Sequence, residues 1–382
     1  MTSNLESCIN MIILASKGPV IKRYYSLDLK SAIVLSAAAS MLSGCGGGGE
    51  ASYQYDYTQG TPSSESNADG TISNSALMTL PYEDDAGNTH SSLADANSVL
   101  NSGGDLVATT DTGARSAWRS GWTGKNVKVG IADDFNSNGR LDTHGDRVTI
   151  IASSVAPEAT YAFIDMLESN PDMTADMTAD EALSYFENNG YHIVNASWGI
   201  ERGYIPDAAF NSYVADRVSD FDQAVEDGKQ ALIVYAAGNS GNTCSGKRSE
   251  DCSAEQATIA ALRDAGYTAG NNKIFVGSLA DGSNEMASYS LIAGDLKYDF
   301  IVAHDDVVTT GDGSGTSYAA PRVTAAAALV GHKFPNLTSP QLKQVLLQTA
   351  DDLGVAGVDE TFGHGKLSIP NALSPQGTVV PK

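Results

Sequence analysis

The sequence predicts an α/β fold, a mostly parallel sheet with helices on both faces, and three observations carry that expectation. Apolar runs at 127–132, 159–166, 192–199, 230–239 and 272–280 read as buried strands. Helix-like stretches fall between them, ADEALSYFENNG at 179–190 and AFNSYVADRVSDFDQAVEDG at 209–228, and alternation at this spacing puts strands parallel with crossover helices covering the sheet. Composition agrees, since 42% hydrophobic residues with 38 glycines in 382 suits a packed chain with many tight turns. In such sheets, active groups gather at the carboxyl ends of the strands.

At the N-terminus Lys22, Arg23 and Lys30 precede an apolar run, Ser31 to Leu42, which is too short to span a bilayer comfortably. Residues 1–44 therefore read as a targeting segment, set unusually far from Met1, so that Met11 or a later codon is an alternative start. Leu42-Ser43-Gly44-Cys45 resembles a bacterial lipobox, which implies removal of the leader and a lipid on Cys45 as the contact with a membrane. A plain signal peptide is the alternative. Gly46 resembles the residue that follows the lipidated cysteine of outer-membrane lipoproteins, so the expected location is the cell envelope, at its periplasmic face or its surface. Residues 45–114 are rich in Gly, Ser, Asn, Asp and Thr, as in TQGTPSSESNADGTISNS, and are expected to form a flexible tether with no folded pro-domain.

The globular domain is expected over 115–376, with 377–382 as a tail. It opens with a short amphipathic helix in ARSAWRSGWTGK and the strand VKVGIA, and it closes with the amphipathic helix of NLTSPQLKQVLLQTADDLG. The doubled MTAD at 173–180 reads as a surface loop leading into a helix capped by Asp180. Asp and Glu number 46 against 23 Lys and Arg, a formal charge of -23, so the surface field repels phosphate backbones and excludes nucleic acid as a partner. Of four cysteines, Cys8 goes with the leader and Cys45 carries the lipid; Cys244 and Cys252 close CSGKRSEDC and are expected to form a disulfide outside the reducing cytoplasm.

The chemistry is concentrated in GDGSGTSYAAPRVTAAAALV, residues 311–330. Glycines 311, 313 and 315 permit tight backbone angles, and the helix that follows offers free N–H groups where an anion is stabilised. Ser317 is expected at that helix start, its N–H available to an oxyanion and its hydroxyl to attack, with Pro321 within the first turn or so. The segment G-T-S-x-A-x-P at 315–321 resembles the serine motif of the subtilisin-like serine proteases, the subtilases of peptidase type S8. That resemblance implies a subtilisin-like three-layer sandwich and a triad in the order Asp, His, Ser.

VKVGIADDFN resembles the first motif of that family, a buried strand ending in the catalytic aspartate, and strand register gives the role to Asp133 rather than Asp134. THGDRV resembles its histidine motif and puts the base at His144. His364, in FGHGKL, resembles the glycine-rich segment that closes the domain and is read as structural; His90, His192, His304 and His332 are read as surface or satisfied core residues. YAAGNSGN resembles the A-A-G-N segment and makes Asn239 the side-chain oxyanion donor beside the Ser317 N–H. VNASWG resembles the segment that pairs with an extended peptide, so Ser197, Trp198 and Gly199 are expected to wall one side of the pocket, and Ala236, Ala237 and Gly238 the other. Trp198 as a core aromatic is the alternative. The resemblance runs from about Ala117 to about Ser374.

Three features depart from the family pattern. Asp133 and His144 are only 11 residues apart, a span that still reaches at about 3.3 Å per residue. Asp146 stands where the family has Thr, next to Arg147, and a carboxylate there would act on the imidazole or pair with the arginine. DFNSNGRLD matches the front of a calcium loop through Asp134, Asn136, Asn138 and Asp142, but Gly145 occupies the place of the bidentate glutamate, so an Asn-Gly-rich turn is the preferred reading. No cofactor is required for the chemistry, and structural calcium is left open. In style the chain resembles lipidated autotransporter passenger domains; it stops at Lys382, so no β-barrel is expected. The function expected is a lipid-anchored, monomeric serine endopeptidase cleaving protein or peptide substrates through an acyl-enzyme. A non-catalytic, peptide-binding surface lipoprotein of the same fold is the alternative.

Overall fold

The computed structural model describes residues 59–61, 82–83, 89–90, 112–135, 144–165, 179–198, 231–239, 241, 272–280, 282–305 and 314–375. All belong to the compact unit Tyr53–Lys382; a second unit, Met1–Ser52, lies outside the described residues and takes Cys45 with it. Gly199, Asn136, Asn138, Asp142, Cys244, Cys252 and the helix expected over 209–228 also lie outside them.

Two short strands, β1 (Tyr82–Glu83) and β2 (Thr89–His90), pair antiparallel within the stretch expected as tether. The domain proper begins with α1 (Ala114–Arg119), followed by β3 (Lys128–Asp133), α2 (His144–Val155), β4 (Thr160–Asp165), α3 (Ala179–Asn188) and β5 (Ile193–Ala196). Next come β6 (Leu232–Ala236), β7 (Lys273–Leu279), a 3₁₀ turn over Gly294–Asp299 and β8 (Phe300–His304). Three helices close the chain: α4 (Thr316–Lys333), α5 (Ser339–Gln348) and α6 (Ile369–Ala372). Because α3 begins at Ala179, Asp180 sits inside its first turn and not at its cap.

Strands β3 to β8 form one six-stranded sheet in the order β4-β3-β5-β6-β7-β8, and every pairing is parallel. The chain runs outward from β3 to β4 and then returns to the other side of β3 for β5. This reversal is the switch point beside which ligands bind in open parallel sheets.

Strand alternation divides the core. Val129, Ile131, Ile193, Leu232, Val234, Ile274, Val276 and Ile301 face the layer of α2, α4 and α5, where Ala325 to Val330 of α4 are wholly buried. Alternate residues, Val194, Ala196, Ile233, Tyr235, Phe275 and Val302, pack on the opposite face, where Phe186 of α3 seals the β3 side. Gly130 makes that seal fit, since a Cβ there would stand 2.6 Å from the Phe186 ring. The alanine run of α4 has a matching purpose: small side chains let a long helix lie close along the sheet.

One polar lock crosses the helical layer. Lys343 of α5, 1% exposed, pairs with Asp299, 4% exposed, so neither buried charge is left alone. Among the described residues no helix is long and apolar enough to cross a membrane.

Candidate active site

Asp133 is the last residue of β3 and is 1% exposed, whereas Asp134 is partly exposed. His144, the first residue of α2, donates from Nδ1 to Asp133 Oδ1 at 2.5 Å. The same oxygen accepts the Asp134 N–H at 2.8 Å, and Oδ2, buried, has no partner among the described residues. The short Asp–His spacing closes through the backbone, because the Gly145 N–H donates to Asp134 O at 2.9 Å. Only glycine fits at 145, where a Cβ would meet Asp134 O at 2.5 Å and the Phe135 ring at 2.7 Å. With Nδ1 occupied by the carboxylate, Nε2 is the nitrogen left to act as a base.

Ser317 is the second residue of α4, and its neighbour Tyr318 lies 5.4 Å from the His144 ring, centroid to centroid. Its hydroxyl donates to Ser197 O at 3.2 Å and not to the imidazole. Its carbonyl accepts from Ser197 Oγ at 2.8 Å. That second bond has a cause in the helix. Pro321 is the sixth residue of α4, deeper than the first turn expected for it, and its missing N–H strips the Ser317 carbonyl of its i+4 donor. The Ser197 hydroxyl, itself held by Asn195 Nδ2 at 2.9 Å, supplies the replacement. Ser197, expected in a pocket wall, is seen here to hold the backbone of Ser317.

Asn239 follows β6 and is exposed. Its Oδ1 accepts both the Thr316 N–H (2.9 Å) and the Thr316 hydroxyl (3.0 Å), and Thr316 Oγ1 in turn accepts the Gly238 N–H (3.1 Å). With its oxygen committed in this way, the Asn239 amide has its Nδ2 donors left to offer. Thr316 is the residue that sequence reasoning missed here. A hydroxyl next to the serine, opposite an Asn-Gly turn, was the only available signal.

The expected walls divide by burial. Ala236 and Gly238 are partly exposed, whereas Ala237 is buried with its N–H on Val276 O. Trp198 is partly buried and packs against both apolar clusters on its face of the sheet, which gives it the core contact offered as its alternative. Gly199 lies outside the described residues. Among the described residues no group of three or more His, Cys, Asp or Glu is placed to hold a metal ion.

A family model described as "Subtilase family" matches residues 125–365. The minor extracellular protease Epr of Bacillus subtilis (strain 168) is 26% identical over 286 residues, 66% of this chain and 39% of its own length. The Neisserial autotransporter lipoprotein NalP of Neisseria meningitidis serogroup B is 44% identical over 61 residues, 16% of this chain and 6% of its own. The chain therefore spans less than two thirds of the length of either relative. Among solved structures, a lanthipeptide protease shares the fold with a TM-score of 0.51 at 18% identity, covering 71% of this chain and 93% of that one.

Proposed function

The chain belongs to the subtilase family of serine peptidases, and from that premise we propose that it is a serine endopeptidase acting through Asp133, His144 and Ser317. The observation that carries the reading is the 2.5 Å bond from His144 Nδ1 to the buried Asp133, which holds the imidazole in the tautomer whose Nε2 takes a proton. In the reaction the Ser317 hydroxyl leaves Ser197 O, turns to Nε2 and attacks the peptide carbonyl as its proton passes to His144. Asn239 Nδ2 and the Ser317 N–H hold the oxyanion. The imidazolium then protonates the departing amine, and water hydrolyses the acyl-enzyme by the same route.

Labelling with a fluorophosphonate probe tests this. Modification of the unaltered protein that is lost in both Ser317→Ala and His144→Ala is the expected result. A folded protein that does not label would overturn it and favour the non-catalytic peptide-binding alternative, for which the Ser317 hydroxyl already turned to Ser197 is the supporting observation.

We assign the protein to the cell envelope, anchored by lipid on Cys45, with a Cys244–Cys252 disulfide. Support comes from the Leu42-Ser43-Gly44-Cys45 sequence and from relatives described as an extracellular protease and an autotransporter lipoprotein. Incorporation of labelled fatty acid that disappears in Cys45→Ser is the expected result; labelling that persists would refute the anchor.

A further inference from the structure

The two halves of the oxyanion site come from different elements, Asn239 after β6 and Ser317 at the start of α4, and a third segment ties both. Backbone groups of residues 289–291 hold the Asn239 side: the Gly241 N–H donates to Tyr289 O at 2.7 Å and the Leu291 N–H to Gly238 O at 3.0 Å. The side chain of Tyr289 reaches the other way and donates its hydroxyl to Asp305 Oδ2. That same oxygen accepts the Gly315 N–H at 2.6 Å, two residues before Ser317. Asp305 is 1% exposed and directly follows β8, so it is fixed to the sheet. The segment 289–291 is fixed as well, by the Ser278 N–H on Ser290 Oγ at 2.9 Å.

Resting on the peptidase reading above, we propose that Tyr289 and Asp305 are positioning residues that splint the oxyanion site, setting the Asn239 amide and the Ser317 N–H at a fixed separation. Consecutive N–H groups before the serine are consumed by side-chain oxygens, Gly315 by Asp305 and Thr316 by Asn239. The Ser317 N–H is the next in line and is kept for the substrate. A donor pair aimed at developing charge loses its advantage with small displacements, about 10²-fold in rate for an error near 1 Å. Burial, then the bond to Asp305, push the Tyr289 phenol well above its ordinary value, so it stays a proton donor across the working range of pH. The carboxylate acts by geometry, as an acceptor for two donors. Its charge would oppose an oxyanion and is not the useful part.

The test compares Asp305→Ala, Asp305→Asn and Tyr289→Phe, each measured per active site by burst titration. Asp305→Ala is expected to lower kcat about 10- to 100-fold and Tyr289→Phe about 10-fold, with KM within about twofold of the unaltered protein. Asp305→Asn keeps an acceptor oxygen without the charge and is expected to restore kcat to within about threefold. Loss confined to KM or to the fraction of active sites, or an Asn variant as poor as the Ala variant, would overturn the splint. Amide hydrogen exchange gives a readout independent of turnover: both Asp305→Ala and Tyr289→Phe should deprotect Gly315 and Gly241 together, and unchanged protection at Gly241 also overturns it. Should the unaltered protein neither label nor cleave, the peptidase reading fails and the exchange measurement decides the splint alone.

Discussion

Helix α4 ends in two different ways. At its N-terminus, Ser317 sits with its hydroxyl on a carbonyl, while the bonds around it come from Asn239, Ser197 and Asp305 on other elements. At its C-terminus the side chains of His332 and Lys333 are tied off. His332 accepts the Thr123 N–H at Nδ1 (3.1 Å) and donates from Nε2 to Thr61 O (2.9 Å), while Lys333 donates to Leu373 O (2.6 Å) and its own carbonyl accepts the Gly60 N–H (2.7 Å). Trp122 packs edge-on against His332 at 5.3 Å. The closed end anchors the helix, and the open end leaves the Ser317 N–H as the donor that the proposed reaction uses. Exposing unsatisfied helix N–H groups is tolerable at one end because packing and hydrogen bonds hold the other.

The largest expected effect comes from the open end. Asn239→Ala removes the proposed side-chain donor and also the acceptor that holds the buried Thr316, so kcat should fall about 10²- to 10³-fold, with a stability loss of about 1–3 kcal/mol from the Thr316 N–H left without its acceptor. Steady-state kinetics on a peptide substrate checks it. A fall below tenfold would mean that the backbone N–H alone carries the oxyanion.

A second effect tests how Pro321 is accommodated. Ser197→Ala leaves the Ser317 carbonyl and Asn195 Nδ2 without their partner, at a cost of about 1–3 kcal/mol in urea denaturation. Adding Pro321→Ala restores an N–H four residues after Ser317, so the double variant should recover about 1 kcal/mol, a non-additivity that independent sites would not show. Simple addition of the two single effects would mean that Ser197 is not the substitute donor.

How legible this architecture was depended on how local its causes are. The strands β3 to β7 were legible because each is an apolar run between breakers, whereas Asp133 and His144 were singled out by the resemblance of VKVGIADDFN and THGDRV to family motifs; the structure puts the first at the end of β3 and the second at the start of α2. β8 was missed: FIVAH follows a 3₁₀ turn with too few residues for a period to show. The depth of Pro321 was misjudged because α4 already starts at Thr316, before the serine, and its compensation comes from a hydroxyl 120 residues away. Tyr289 and Asp305 left no trace, since their meaning arises only when β7 and β8 lie side by side. Residues 59–61 sat in a stretch read as tether by composition, yet Gly60 and Thr61 contact the end of α4 through backbone groups that composition does not encode.

The smallest effect is expected at the closed end, and it depends on pH. Burial pulls His332 below its ordinary value of 6.5, offset only in part by the Thr61 carbonyl and the Glu158 carboxylate and reinforced by Lys125. The folded state therefore holds fewer protons here than the unfolded chain, so this site's contribution is complete above about 6.5 and is lost as pH falls through the lower folded value. Protonation also puts a hydrogen on Nδ1, where the Thr123 N–H needs an acceptor. Urea midpoints should fall more steeply between about pH 7 and pH 5 in the unaltered protein than in His332→Gln, with kcat of the two alike at the upper pH. Equal slopes would mean that the closed end is held by its apolar packing and not by the neutral imidazole, and that the contrast between the two ends of α4 is one of burial alone.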